Sequence, residues 1–214
     1  MSRSLKYDIP GEDRRVTVAQ AVEKGWEALF ASNVTQPLPL VVEIGFGRGE
    51  FLLDLATREP ETAFVGVEYS FKRVLKMARR LARLELENVR IVEARGEDVV
   101  EETLRDASVA CFWVNFPDPW PKKRHFKRRL LQLPFARRLA DKLVPGGHLK
   151  IATDHPGYAE WIAEILPAVE TLENAYAPDP YRRSEADRLP TAYELLWRAE
   201  GRDFHFFDYV RRGG

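Results

Sequence analysis

The order of apolar runs in this 214-residue chain predicts an α/β fold with a doubly wound, mostly parallel sheet. Two observations carry that expectation. Five short runs, Leu40–Phe46, Ala63–Tyr69, Val89–Ala94, Val109–Phe116 and His148–Asp154, alternate strictly with segments of helical spacing. Each run is near-continuously apolar, as strands covered on both faces are. The first also leads directly into Gly45-Phe46-Gly47-Arg48-Gly49 and then a helical segment, the strand–loop–helix order of ligand loops in such sheets.

The elements follow in order. Residues 1–15 are polar and charged and are expected to form a mobile N-terminal arm, with a single domain over residues 16–214. Thr17–Ala31 has helical spacing through Val18, Val22, Trp26, Leu29 and Phe30, with Thr17 as N-cap. Further helices are expected at Glu50–Arg58, Phe71–Glu85, Asp98–Arg105, Arg128–Leu143 and Pro156–Val169. Pro178–Pro190 reads as a loop. Two β-rich runs, Tyr193–Ala199 and Phe204–Arg211, are joined by Glu200-Gly201-Arg202-Asp203 and predict a C-terminal antiparallel hairpin. A parallel sheet ending this way fits the Rossmann-like class I methyltransferase architecture better than a plain dinucleotide-binding fold.

Composition narrows the class. Hydrophobic residues make up 45% of the chain, including five Trp and twelve Phe, which excludes disorder. No apolar run reaches the roughly 18 residues of a membrane span, and the N-terminus lacks a signal-like apolar segment, so no membrane partner is expected. The single cysteine, Cys111, lies in an apolar run, reads as core and suits a reducing cytoplasm. The histidines His125, His148, His155 and His205 have no ligand spacing, so no metal is expected.

Lys+Arg and Asp+Glu both number 33, so net charge is uninformative, but its distribution is not. Between Pro119 and Ala140 there is no acid, while Lys122, Lys123, Arg124, Lys127, Arg128, Arg129, Arg137 and Arg138 are all positive. Such a block on a neutral chain attracts an anion at one place.

The glycine loop departs from the dinucleotide pattern G-x-G-x-x-G, because the third glycine comes one residue early. Glu43 stands just before it, where a carboxylate repels a pyrophosphate and attracts a cation. S-adenosylmethionine carries an ammonium and a sulfonium, so charge favours it over NAD. Glu68 closes the second strand run, where a carboxylate can accept two ribose hydroxyls. The third strand run ends in Glu93-Ala94-Arg95-Gly96-Glu97, from which a side chain or a backbone N–H reaches the adenine. Past the fourth, Pro117, Pro119 and Pro121 hold the chain extended and fix Asp118 at a strand end. Trp120 either packs this loop or stacks on a base.

These motifs resemble the bacterial tRNA (guanine-N7-)-methyltransferases, from about Leu40 to the C-terminus. Glu43-Ile44-Gly45-Phe46-Gly47-Arg48-Gly49, Asn115 through Arg129, Ala152-Thr153-Asp154 and Thr191-Ala192-Tyr193-Glu194 carry the resemblance. It implies that S-adenosylmethionine is bound through Glu43, Gly45, Gly47, Glu68, Arg95 and Asp118, and that Asp118 lies at the catalytic centre. It implies substrate-side roles for Lys122, Asp154, Thr191, Tyr193 and Glu194. By spacing alone, Thr191 and Glu194 read as surface residues and Asp154 as a helix N-cap. Arg95 departs from the family, which has Asp or Asn at the adenine contact.

The implied reaction is methylation of N7 of the variable-loop guanine of tRNA, by a cytoplasmic monomer or homodimer. Guanine N7 already offers a lone pair, so attack needs no general base. A carboxylate from Asp118, Asp154 or Glu194, accepting from the guanine N1–H and N2–H₂ edge, would select guanine and strengthen as the ring becomes cationic. Three rivals stand beside this. A small-molecule methyltransferase leaves the basic block unexplained. An NAD-dependent oxidoreductase conflicts with the glycine spacing and Glu43. An inactive RNA-binding module conflicts with the intact acids.

Overall fold

The computed structural model describes residues 7–30, 38–185, 188 and 190–213. The chain forms two compact units, residues 1–103 and 104–214.

In the first unit, β1 (Arg15–Val16), β2 (Leu40–Ile44), β3 (Ala63–Glu68) and β4 (Val89–Glu93) run parallel in the order β1-β4-β3-β2. They alternate with α1 (Val18–Phe30), α2 (Glu50–Arg58), α3 (Phe71–Leu84) and α4 (Gly96–Thr103). Every residue of β2 and β3 is buried, in keeping with their near-continuous apolar character and including Glu43 and Glu68. Thr17 caps α1: its Oγ1 accepts from Gln20 N–H at 3.1 Å, and Gln20 Oε1 accepts from Thr17 N–H at 2.9 Å. Trp26 ties α1 to α4 by donating to Thr103 Oγ1 at 3.1 Å.

Met1–Lys6 of the expected arm lie outside the described residues, as does Ala31 of the first expected helix. Residues 7–16 contact this unit at several points. Tyr7 stands 6.1 Å from the Phe71 ring, Arg14 is buried and its carbonyl accepts from Ile91 N–H at 3.1 Å. The boundary expected at residue 15 falls inside β1, because Arg15 and Val16 pair with Ile91 and Val92.

In the second unit, β5 (Val109–Asn115) and β6 (Leu143–Thr153) are parallel. β8 (His205–Arg211) runs antiparallel to β6 and to β7 (Leu172–Asn174), giving the order β5-β6-β8-β7. A 3₁₀ turn (Lys123–Arg128), α5 (Leu133–Lys142), α6 (Pro156–Ile165), a second 3₁₀ turn (Leu166–Ala168) and α7 (Ala192–Ala199) complete it. The helix expected from residue 128 starts only at Leu133, and β6 begins at Leu143 rather than His148.

Antiparallel pairing is present at the C-terminal edge, but Tyr193–Ala199 takes no part in it. That segment is α7, started by Thr191 Oγ1 accepting from Glu194 N–H at 3.0 Å and braced by the i,i+4 pair Glu194–Arg198. A cap and a side-chain pair outweigh the local β-propensity of Tyr193 and Trp197, and β8 takes β6 and β7 as partners instead.

Cys111 is only half-buried. In β5 the side chains of Phe112 and Val114 are fully enclosed, while Cys111, Trp113 and Asn115 share the less covered face. Polar groups lie over that face. Lys150, 5.3 Å from the Trp113 ring, pairs with Asp208 at 2.9 Å and Glu185 at 3.2 Å, and Tyr176 donates to Glu185 at 2.5 Å. Glu185 thereby anchors residues 178–185. Among the described residues, no helix is long and apolar enough to cross a membrane, and no group of three or more His, Cys, Asp and Glu could hold a metal.

Candidate functional site

Each unit presents candidate site residues at the carboxyl ends of parallel strands, where ligands of open α/β sheets bind. In the first unit, β2 and β3 are in register, so the loop after Ile44 and the end of β3 at Glu68 emerge side by side. Val67 O accepts from Gly45 N–H at 2.8 Å and from Phe46 N–H at 3.2 Å, fixing the start of the glycine loop. Gly45, Gly47 and Gly49 have φ of 79°, 56° and 77°, a left-handed conformation that explains why glycine stands at each. A Cβ on Gly45 would meet nothing within 4 Å and one on Gly47 only a backbone oxygen at 3.9 Å, so this part of the loop borders open space. At Gly49 the contact is the reverse: a Cβ would sit 2.5 Å from Met77 Sδ, so the loop's end is packed onto α3.

Two buried acids flank the loop. Glu43 and Glu68 are each 2% exposed. The Glu68 carboxylate accepts from Gly47 N–H at 3.1 Å, Ser70 N–H at 3.0 Å and Arg73 Nη1 at 3.2 Å. A cradle with open space at its glycines and two buried carboxylates fits a ligand bearing positive charge and sugar hydroxyls.

Arg95 is exposed and donates to Glu97 at 3.0 Å, which holds its pKa above the ordinary value. Its neighbour Gly96 is buried, and a Cβ there would fall 2.4 Å from Ile44 Cγ2. The backbone at this turn therefore lies close to the end of β2, while the Arg95 side chain faces solvent.

In the second unit, Asn115 is paired in register with Ala152, so the Asp118 loop and the Ala152-Thr153-Asp154 turn leave adjacent parallel strands together. The loop is strained: Phe116 and Trp120 adopt φ of 52° and 42°, unusual for bulky side chains and characteristic of functional turns. Asp118 is exposed between them.

Asp154 does not cap α6; His155 does, its Nδ1 accepting from Tyr158 N–H at 3.2 Å. Asp154 Oδ2 instead accepts from Tyr193 O–H at 2.9 Å and from Arg202. Both partners reach it because β8 is registered with His205 opposite Thr153, which brings α7 and the turn after it alongside. Burial and, after it, the bond to Asp154 raise the Tyr193 pKa above the ordinary phenol value. The Tyr193 ring lies 5.1 Å from Phe116, and Arg202 stacks 3.6 Å over Trp197.

Glu194 is not on the surface but 1% exposed, held between Arg188 and Arg198. Arg188 also donates to Asn115 Oδ1 at 2.9 Å, so Thr191, Glu194 and Arg188 together brace the end of β5. Of the three acids considered for guanine, Asp118 is exposed, Asp154 has its Oδ2 engaged by Tyr193 and Arg202, and Glu194 is enclosed by two arginines.

The basic block divides. Lys122, Lys123, Arg124, Lys127, Arg128, Arg137 and Arg138 are exposed, but Arg129 is 2% exposed. Its guanidinium lies 3.7, 4.9 and 5.3 Å from the ring centroids of Phe126, Tyr158 and Trp161. Its Nε donates at 2.9 Å to the carbonyl oxygen of Pro119, the residue after Asp118. Trp120 packs the same loop, with Arg128 5.0 Å over its ring and His125 edge-on at 5.7 Å. Composition could not separate Arg129 from its neighbours; Arg188 and Arg202 carry no short-range signal at all.

A family model described as "Putative methyltransferase" matches residues 37–207. A tRNA (guanine-N(7)-)-methyltransferase of Geobacter metallireducens is 36% identical over 86% of this chain and 85% of that protein. One from Thiobacillus denitrificans is 43% identical over 73% of this chain and 69% of that protein. Among solved structures, the antibiotic-resistance methyltransferase Kmr superposes with a TM-score of 0.57 at 22% identity, covering 93% of this chain and 94% of that one, a likeness of fold.

Proposed function

The chain belongs to the tRNA (guanine-N(7)-)-methyltransferase family, and we propose that it methylates N7 of the variable-loop guanine of tRNA, using S-adenosylmethionine, in the cytoplasm. The observation that carries this reading is the strained, proline-stiffened Asp118 loop, which ends in exposed cations on one side and adjoins the Asp154–Tyr193–Arg202 cluster on the other. The family model's unbroken match over residues 37–207 supports one methyltransferase domain across residues 16–214.

When bound, S-adenosylmethionine supplies an electrophilic methyl group on a sulfonium. Glu43 and Glu68 would hold its cationic and ribose ends, with Gly45 and Gly47 allowing close approach. The Ala94–Gly96 main chain is assigned to the adenine in preference to the Arg95 side chain, which is engaged by Glu97.

Guanine N7 is neutral and nucleophilic, so the protein's task is to orient the base and stabilise the charge that arrives on it. Asp118 accepts from the N1–H and N2–H₂ edge, and Asp154, oriented by Tyr193 and Arg202, is the second acceptor. Lys122 and the exposed residues after it bind phosphates flanking the base. Thr191 and Glu194 act on the substrate side by holding α7 and, through Arg188, the end of β5.

The test is methyl transfer from labelled S-adenosylmethionine to unmodified tRNA transcripts, followed by borohydride–aniline cleavage at N7-methylguanosine. A single cut in the variable loop is expected. Asp118→Asn should lower turnover by about two orders of magnitude, as removal of one aimed charge-stabilising group does. Unchanged turnover in that variant would remove Asp118 from the reaction.

A further inference from the structure

The basic block after β5 is not the only cationic surface. Helix α3 has no acid from Ser70 to Leu84, while Lys72, Arg73, Lys76, Arg79, Arg80 and Arg83 lie within it. Two of these are engaged at the cofactor cradle: Arg73 pairs with Glu68 and Arg80 donates to Arg48 O at 2.8 Å. Lys72, Lys76 and Arg83 are exposed and form no ion pair among the described residues. At 100° per residue these three fall within about 40° of one another, a stripe about 16 Å long from Lys72 to Arg83. At the near end of the stripe, Tyr69 is 71% and Phe71 41% exposed, with Tyr7 beside Phe71.

We propose that this face of α3 is a second RNA-binding surface, gripping the tRNA backbone, with Tyr69 as a stacking platform. The proposal rests on the tRNA-methyltransferase reading. Charge fits phosphate, and exposed aromatic rings beside cations fit an unstacked or terminal base. Lys72 stands four residues after Glu68, and the stripe runs from there along the helix to Arg83. The helix cannot insert into a lipid surface, because Val74, Leu75, Met77, Ala78 and Leu81 are at most 1% exposed and already form its packed face. The nearest acids in sequence, Glu85 and Glu87, follow the helix and leave the stripe itself purely cationic.

The experiment uses the full chain, unmodified tRNA and the variants Lys72→Ala/Lys76→Ala/Arg83→Ala and Tyr69→Ala. The triple variant should lower the slope of log affinity against log salt by about two to three, one phosphate contact per cation, and raise KM for tRNA with kcat unchanged at saturation. Tyr69→Ala should weaken tRNA about tenfold with the slope intact, since stacking releases no counterions. Stabilisation by S-adenosylhomocysteine should match the wild type in both. A triple variant with wild-type slope and KM and intact S-adenosylhomocysteine binding would overturn the proposal. So would loss of binding to phosphatidylserine vesicles with tRNA affinity unchanged. Failure of the wild-type protein to methylate tRNA would strike the enzyme reading instead, and is read in the same assay.

Discussion

Arg129 offers the sharpest test of how the basic block is divided. Composition makes it one of eight equivalent cations; the structure turns it inward, onto three aromatic rings and the Pro119 carbonyl. Its bond to Pro119 O involves a charged donor, worth about 1.5–3 kcal/mol, and a desolvated cation over aromatic rings adds about 2 kcal/mol. Arg129→Ala removes both and empties the box, so a loss of about 3–5 kcal/mol is expected in urea unfolding. Burial opposes this by pushing the Arg129 guanidinium pKa down, which places the loss toward the lower end. Arg129→Lys keeps the charge but has no planar fork to stack between rings while reaching Pro119 O. That variant should fold, bind tRNA with the wild-type salt slope, and lose about tenfold or more in kcat as the Asp118 loop loosens. Arg128→Ala, one residue away and exposed, should do the opposite: lower the salt slope by about one and spare kcat. If Arg129→Lys lowered the slope as Arg128→Ala does and left kcat unchanged, Arg129 would be an RNA ligand and the loop-positioning argument would be wrong.

Two further outcomes follow from the geometry. Gly49→Ala forces a left-handed alanine, about 1–2 kcal/mol, and displaces the buried Met77, about 1–3 kcal/mol more, whereas Gly47→Ala has open space and should incur only the first cost. Equal losses for the two variants in chemical denaturation would refute the packing contribution. Burial and the neighbouring Arg183 hold the His205 pKa below its usual value, with its Nδ1–H directed at Thr153 O at 3.3 Å. The unfolded chain therefore binds the proton first, so stability should fall as pH drops below about 6.5 toward the lowered folded value. His205→Gln should flatten that part of the curve, and a wild-type profile parallel to that of His205→Gln would exclude the effect.

Much of the architecture was legible in the chain because strands enclosed on both faces are apolar nearly throughout, as β2 and β3 are apart from Glu43 and Glu68. The glycine loop was legible for a related reason: three left-handed positions so close together tolerate little else. Elsewhere, local reading failed where a distant partner decides. Tyr193–Ala199 has β-like composition, yet Thr191 and the Glu194–Arg198 pair make it a helix, and β8 pairs with β6 and with β7, more than thirty residues earlier in the chain.

The sequence by itself determined the alternation of strands and helices from β2 to β6, the glycine loop with the acids beside it, and the family. It did so because periodicity, glycine and carboxylate at strand ends are local properties. Tertiary structure alone decided which charges face inward. Glu194 and Arg129 are ordinary polar residues in a linear reading, but one is enclosed by Arg188 and Arg198 and the other by Phe126, Tyr158 and Trp161. A buried charge is stable only where partners from elsewhere in the chain replace its water, and where those partners lie depends on the packing of α6 and α7 rather than on spacing.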